Sequence, residues 1–257
     1  RMSIDLAREG AVATITMNVP GRRNALTFEL RGQLRERLEE VSADASVRAV
    51  VLTGAGAAFC AGADVEAMAA GNQQQSRARM QHLHALVRTL YRLEKPVIAA
   101  VRGPAVGFGW SLALACDLVI ASDTAKFSQI FSKMGLAPDG GAVYFLQRNL
   151  GLARAKELVF SARMVEAMEA LQLGLVNRVV PDADLAAQAQ RWAAELAAAP
   201  TFALVMGKRM FEAGSSPGLD QFLETELLIQ PQLKQTHDHQ EGKLAFREKR
   251  AARFTGN

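Results

Sequence analysis

Residues 99–122 read AAVRGPAVGFGWSLALACDLVIAS, and the order of elements within them decides the fold. The stretch enters on the end of an apolar run, KPVIAAV at 95–101, and breaks at Gly103-Pro104. It turns through Gly107 and Gly109, continues as the helix-like GWSLALAC, and leaves on a second apolar run, DLVIAS at 117–122. Short apolar runs bounded by glycine read as buried strands, and a helix between two of them reads as a crossover connection. Upstream, SIDLAREGAVATITM at 3–17 alternates apolar and polar residues around Glu9-Gly10, the pattern of a β-hairpin. The spacing predicts a helix from Thr27 to about Val41, a strand at AVVLTG (49–54) and a helix over Arg77 to Glu94. Strands alternating with helices predict an α/β fold of repeated crossover units, although no sequence repeat is visible. Downstream of Asp139 the pattern turns helical: ARAKELVFSA, LAAQAQRWAAELAAA, FALVMGKRMFEAG and residues 219–252, with LVNRVV as a strand-like run. Pro200 and the AGSSPG loop at 213–218 are boundary signals, giving a core over 2–199 and a helical region over 200–257. The Ala- and Leu-rich faces of that region need a surface to pack on, and an oligomer interface supplies one.

The chain has 257 residues, 49% hydrophobic and 22% charged, which suits a large core and excludes a disordered chain. No apolar run reaches the roughly 18 residues of a membrane helix, and the basic-then-apolar order of a signal peptide is missing. A cytoplasmic location without membrane contact is therefore expected. Arg1 precedes Met2 and is read as a remnant of expression. Cys60 and Cys116 have neither CxxC spacing nor neighbouring histidines, so no metal and no disulfide are expected. A net charge of +4 suits an anionic small molecule, while the scattered Lys and Arg residues, without interleaved aromatics, argue against nucleic acid.

Two glycine-rich segments carry the chemistry. GAAFCAGADV at 56–65 follows a predicted strand, and GPAVGFGWSLALACD at 103–117 follows another. Small residues at a strand-to-helix turn let a ligand approach the main chain, and a helix starting near Gly107 aims its positive end there. Together the segments have the makings of an oxyanion hole; each alone also reads as a tight packing turn. Neither fits GxGxxG or a phosphate-binding loop ending in Lys-Ser/Thr.

With RRNALT (22–27), FCAGADV (59–65), the 99–122 stretch, LGLVNRVVP (173–181) and EGKLAFREKRAARFTG (241–256) in this order, the chain resembles the enoyl-CoA hydratase/isomerase, or crotonase, superfamily over nearly its whole length. The resemblance implies a ClpP-like spiral of repeated ββα units whose helical C-terminal region serves oligomerisation, as a homotrimer or homohexamer. It implies an enzyme acting on an acyl-CoA thioester, with coenzyme A as part of the substrate and no separate cofactor. By carry-over, the backbone N–H groups of Ala63 and Phe108 hold the thioester oxygen, and two such donors stabilise a developing enolate by about 3–4 kcal/mol each. Arg23, Ala25, Ala61, Asp64, Val65 and Gly107 are expected along the substrate's CoA, and Phe246 and Lys249 reach the CoA of this or a neighbouring subunit. Ser111 and Phe131 stand where hydratases carry two glutamates, so paired acid and base catalysis of water addition is missing. Phe108, Trp110 and Phe131 predict an apolar pocket.

The stretch GLAPDGG at 135–141 leaves Asp139 as the candidate for proton transfer. It matches an aspartate of family isomerases that resemble the ring-epoxide isomerase of phenylacetate breakdown. One carboxylate removes a proton from an enolisable acyl chain and returns it two carbons away while the amide pair holds the enolate. Asp after Pro and before a helix is equally a favoured N-cap, and both readings stand at this stage. A dehalogenase-like reading pairs Asp139 with His84, the partner of His82 on the predicted helix, but Phe131 replaces the tryptophan of that chemistry. A hydratase of fatty-acid or aromatic-acid degradation competes with the isomerase, and so does a non-catalytic binder of CoA esters or RNA.

Overall fold

The computed structural model describes residues 2–63, 72–214 and 218–257. Asp64 and Val65, two of the expected CoA contacts, lie outside the described residues, as do Arg1 and half of the AGSSPG loop. Strands β1 (Ser3–Glu9) and β2 (Val12–Asn18) form the expected antiparallel hairpin, turning at Gly10, whose φ of +57° suits a residue without a Cβ. Next come β3 (Ala49–Gly54), β4 (Val97–Val101), β5 (Pro104–Val106), β6 (Leu118–Ser122), β7 (Lys126–Ser128), β8 (Val165–Glu166) and β9 (Arg178–Val180). The larger sheet runs β1-β2-β3-β4-β6-β9 and is parallel from β2 onward; a smaller sheet, β5-β7-β8, stands apart from it.

The uninterrupted apolar runs of β3 and β4 follow from burial on both faces. On one face Val50, Leu52, Val97, Ala99 and Val101 join the main core with leucines of α1 (Phe28–Ala43) and α2 (Gln73–Tyr91). On the other, Ala49, Val51, Ile98 and Ala100 pack against Leu185, Ala189 and Trp192. Thr27 caps α1 by accepting the Leu30 N–H through its Oγ1, as the sequence predicts. Helix α2 begins four residues before the predicted Arg77, because Asn72 and Gln75 form a capping box, and it ends at Tyr91, short of the expected Glu94. Pro96, just beyond, disfavours further helix.

Helix α3 (Phe108–Ala115) joins β5 to β6 and is buried along its entire length. Then follow α4 (Ala142–Leu150), α5 (Leu152–Ser161), α6 (Ala167–Gln172), α7 (Leu185–Ala198), α8 (Thr201–Ala213), α9 (Leu219–Leu233) and α10 (His237–Glu248). The predicted helical run 219–252 is thus two helices, the second starting where the Thr236 hydroxyl accepts the His239 N–H. Helix α9 buries none of its residues, and Leu219, Leu227 and Leu228 stand 72%, 64% and 67% exposed, so these leucines present an apolar face to solvent among the described residues. The C-terminal residues are tied back instead. Asp238 accepts the N–H groups of Thr255 and Gly256, and Arg48 donates to the Thr201 hydroxyl and to the carbonyls of Ala199 and Phe254. No described helix is long and apolar enough to cross a membrane.

Candidate active site

The two glycine-rich segments lie side by side. Cys60 pairs with Ala105 in a parallel bridge; the Cys60 N–H donates to Pro104 O at 3.1 Å and the Val106 N–H to Cys60 O at 2.9 Å. Carried three residues further, this register brings Ala63 beside Phe108. The approach is close: a Cβ on Gly62, whose φ is +98°, would lie 2.8 Å from Val106 O and 3.4 Å from Phe108 N, and one on Gly109 would lie 2.1 Å from Cys60 O. Gly107 precedes the first residue of α3 at φ +56°, ψ −125°, a conformation that turns the chain from β5 into the helix and leaves the Phe108 N–H at the helix's positive end. Among the described residues, neither the Ala63 nor the Phe108 N–H has a hydrogen-bond acceptor. Two free donors on adjacent strand-to-turn segments suit one oxyanion.

A third segment completes this wall. The Ala61 N–H donates to Arg23 O at 2.9 Å, the Leu26 N–H to Gly62 O at 2.8 Å, and Leu26 bridges Ala63, which brings Arg23, Ala25, Ala61 and Ala63 together. Arg23 and Asn24 take positive φ values of 49° and 57°. Sequence reasoning passed over Asn24, yet it is fully buried: its Oδ1 accepts the Val19 N–H, and its Nδ2 donates to Ala55 O and Ala58 O. The signal was available, since Asn adopts this backbone conformation more readily than most residues.

The turn that bears Asp139 packs on α3. A Cβ on Gly140 would lie 2.7 Å from the Phe108 ring and 2.8 Å from Ser111 Cβ, so this turn rests directly on α3. The Ser111 hydroxyl donates to Asp139 O at 2.9 Å and lies 3.3 Å from Gly107 O. Gly141, not Asp139, holds the N-cap position of α4, and no side chain caps that helix. The Asp139 backbone carbonyl, rather than its carboxylate, serves the turn by accepting the Ala142 N–H at 3.2 Å. Its Oδ1 is shut off from solvent and has no hydrogen-bond partner among the described residues. Burial pushes this carboxyl above the ordinary aspartate range, and the nearby Arg31 and His84 offset part of that rise.

The other expected residues divide. Phe131 is buried with its ring edge over Gly107, where an added Cβ would stand 3.6 Å from it. Trp110 is 2% exposed and packs on Phe127, ring centroids 5.6 Å apart, on a different side of α3 from Phe108. The reason is helical spacing, since Phe108 and Ser111 share a face of α3 and a residue two positions from Phe108 points away. Phe246 is exposed on α10, in a groove of about 670 Å³ shared with Phe202 and Phe254, and Lys249 follows in the left-handed conformation that ends the helix. His82 stacks on Phe28 at 4.3 Å and His84 is exposed. Sequence reasoning also missed Arg31, which flanks the buried Leu30–Leu34 stripe of α1 and sits with its guanidinium 5.7 Å from the centre of the Phe108 ring. Among the described residues no group of three His, Cys, Asp or Glu side chains is placed to hold a metal.

The sequence matches the family model for enoyl-CoA hydratase/isomerase over residues 7–257. The chain belongs to the enoyl-CoA hydratase/isomerase family. It is similar to a probable enoyl-CoA hydratase of Rhodobacter capsulatus, 40% identical over 95% of each chain. It is similar to the same degree, 40% over 96% of each chain, to the 1,2-epoxyphenylacetyl-CoA isomerase of Escherichia coli K12. In structure it resembles an enoyl-CoA hydratase of Polaromonas sp. JS666, with a TM-score of 0.94 and 35% identity over 98% of this chain and 99% of that one. The crotonase fold, acyl-CoA processing and the helical C-terminal region therefore hold for this member of the enoyl-CoA hydratase/isomerase family.

Proposed function

We propose that this family member shifts a double bond in an enoyl-CoA thioester, with the Ala63 and Phe108 N–H groups holding the enolate oxygen and Asp139 carrying the proton. The observation that carries this reading is the unused carboxylate: among the described residues Oδ1 of Asp139 is buried and without a hydrogen-bond partner, caps no helix, and sits on a turn packed against the helix that bears one of the two free amides. A base in that setting takes the proton from the carbon next to the thioester, negative charge moves to the thioester oxygen, and the protonated carboxyl returns the proton two carbons along. The neighbourhood supports one carboxylate rather than two. Ser111 has its hydroxyl committed to Asp139 O and Phe131 has no polar atom, so neither supplies the second acid that water addition uses. The 40% likeness to a 1,2-epoxyphenylacetyl-CoA isomerase agrees with this reading, and the equal likeness to a probable enoyl-CoA hydratase makes hydration the competing one.

Arg23, Ala25, Ala61, Asp64, Val65 and Gly107 are proposed to line the CoA, and Phe246 with Lys249 to reach it across a subunit boundary. The exposed apolar face of α9 supports self-association through the region after residue 199, taken as a unit distinct from the core. The deciding experiment incubates wild type and Asp139→Asn with 3-enoyl-CoA and 2-enoyl-CoA in D₂O and reads products by mass spectrometry. Deuterium uptake and bond migration in wild type, lost in the variant while CoA binding persists, are the expected results. Simple addition of water by wild type, or full activity of the variant, overturns the isomerase.

A further inference from the structure

Arg31 stands on α1, away from both glycine segments in sequence, yet it reaches Leu26, which is tied to the first, and Phe108 of the second. Its Nε and Nη2 donate to Leu26 O at 3.3 and 3.2 Å. Leu26 in turn donates its N–H to Gly62 O at 2.8 Å and bridges Ala63, so the first amide-bearing arm hangs on this carbonyl-braced residue. The guanidinium lies 5.7 Å from the centre of the Phe108 ring, and that ring is the surface against which the Gly140 turn is packed. Arg31 and the segment bearing Asp139 therefore both lie against the Phe108 ring of the second arm.

We propose that Arg31 is a positioning residue that braces the two amide-bearing arms against each other and sets a fixed positive charge beside the Phe108 ring on which the Asp139 turn packs. This rests on reading Asp139 as the base. Burying a guanidinium disfavours its charge, and satisfying one carbonyl is a small return for that desolvation. The return is larger if the charge has a second task. An arginine holds its proton throughout the pH range of proteins, so it acts as a fixed positive charge. Among the described residues, the charged or titratable groups facing Asp139 are Arg31 from α1 and His84 from α2. Those facing Arg31 are Asp139, Cys60 on the first arm, and His82 on α2. His82, also on α2, is pushed down by its burial and then by Arg35 and Arg31, which leaves it a poor source of positive charge. An active carboxylate buried this far needs a neighbour that favours its ionised form, and Arg31 is the permanent one.

The test separates charge from brace. Arg31→Gln removes the charge while keeping a donor for Leu26 O; Arg31→Lys keeps the charge and loses the planar fork. The Asp139 carboxyl is followed by ¹³C NMR, each spectrum referenced to the same protein carrying Asp139→Asn. In parallel, deuterium uptake into 3-hexenoyl-CoA is measured against pH. Arg31→Gln is expected to move the carboxyl midpoint, and with it the acid limb of the exchange profile, upward by about one pH unit or more. Arg31→Lys is expected to leave the midpoint near the wild-type value while kcat falls and KM holds. Arg31→Met, neutral and without a donor, gives the same upward shift and serves if Arg31→Gln does not fold. An unmoved midpoint in the neutral variants overturns the proposal. If the midpoint moves but Asp139→Asn still exchanges protons, the base reading fails and the coupling stands; if Asp139→Asn is inactive and the midpoint is fixed, the reverse holds.

Discussion

Asp139 combines two properties that rarely favour stability, a carboxylate with a buried oxygen and, among the described residues, no partner for that oxygen. Because its folded-state pKa lies above the unfolded value, the folded protein binds that proton more tightly, and stability falls as pH rises from the ordinary aspartate range through the raised value. At neutral pH the ionised group is destabilising. Asp139→Asn is therefore expected to raise the thermal midpoint at pH 7 by about 1–3 °C while lowering proton exchange by about 10² or more, checked by calorimetry beside the D₂O assay. An inert cap would give the opposite, a lower midpoint and retained exchange. Sequence alone favoured catalyst over cap at this position without excluding the cap, because both readings want an Asp before a helix, and the placement of Gly141 at the N-cap removes the cap. Arg31 was illegible for a related reason. A lone arginine on an amphipathic helix reads as solvated, and its burial depends on Phe108, which lies far along the chain.

At the scale of elements, the amide pair depends on two turns held in one register. Gly62→Ala puts a Cβ 2.8 Å from Val106 O at a φ of +98°, so the first arm must shift away from α3. The expected outcome is a kcat lowered by about 10²–10³, the loss associated with one misplaced oxyanion donor, with KM for the CoA ester little changed in steady-state kinetics. Ser111→Ala removes the 2.9 Å bond to Asp139 O and is expected to cost about 1 kcal/mol in urea unfolding, with a smaller fall in kcat than Gly62→Ala. Elements whose burial is uniform were legible in advance: β3 and β4 announce themselves because both of their faces are covered, and the hairpin because one of its faces is not. The start of α2 was not, since Asn72 and Gln75 cap it through polar contacts that apolar spacing does not register. The terminal run 219–252 read as helical throughout; in the structure Pro231 is accommodated inside α9 and a break comes at the Thr236 cap.

For the molecule as a whole, the tail after α10 is fastened to the start of β3 and to α10 itself. Asp238 is nearly enclosed; burial alone would raise its pKa, but the Thr255 and Gly256 N–H groups and the Thr255 hydroxyl outweigh that and hold it below the ordinary aspartate range. A lowered pKa contributes stability above the ordinary range, and that contribution is lost as pH falls through the lowered value. Asp238→Ala is expected to lower the thermal midpoint at pH 7 by a few degrees, about 2–4 °C per kcal/mol for a chain of this size, and the difference from wild type should shrink on acidification. If α9 is the self-association face, Leu227→Glu with Leu228→Glu yields a smaller species in light scattering with the circular dichroism intact. The pairing of Cys60 with Ala105 has one more consequence. The spacing of the two donors is written in peptide units, whose dimensions are the same in every sequence, whereas the group they serve is written in the side chains at 131 and 139. Tool and task are thus stored in different parts of the polymer, so a few point substitutions can assign a new reaction to an unchanged grip.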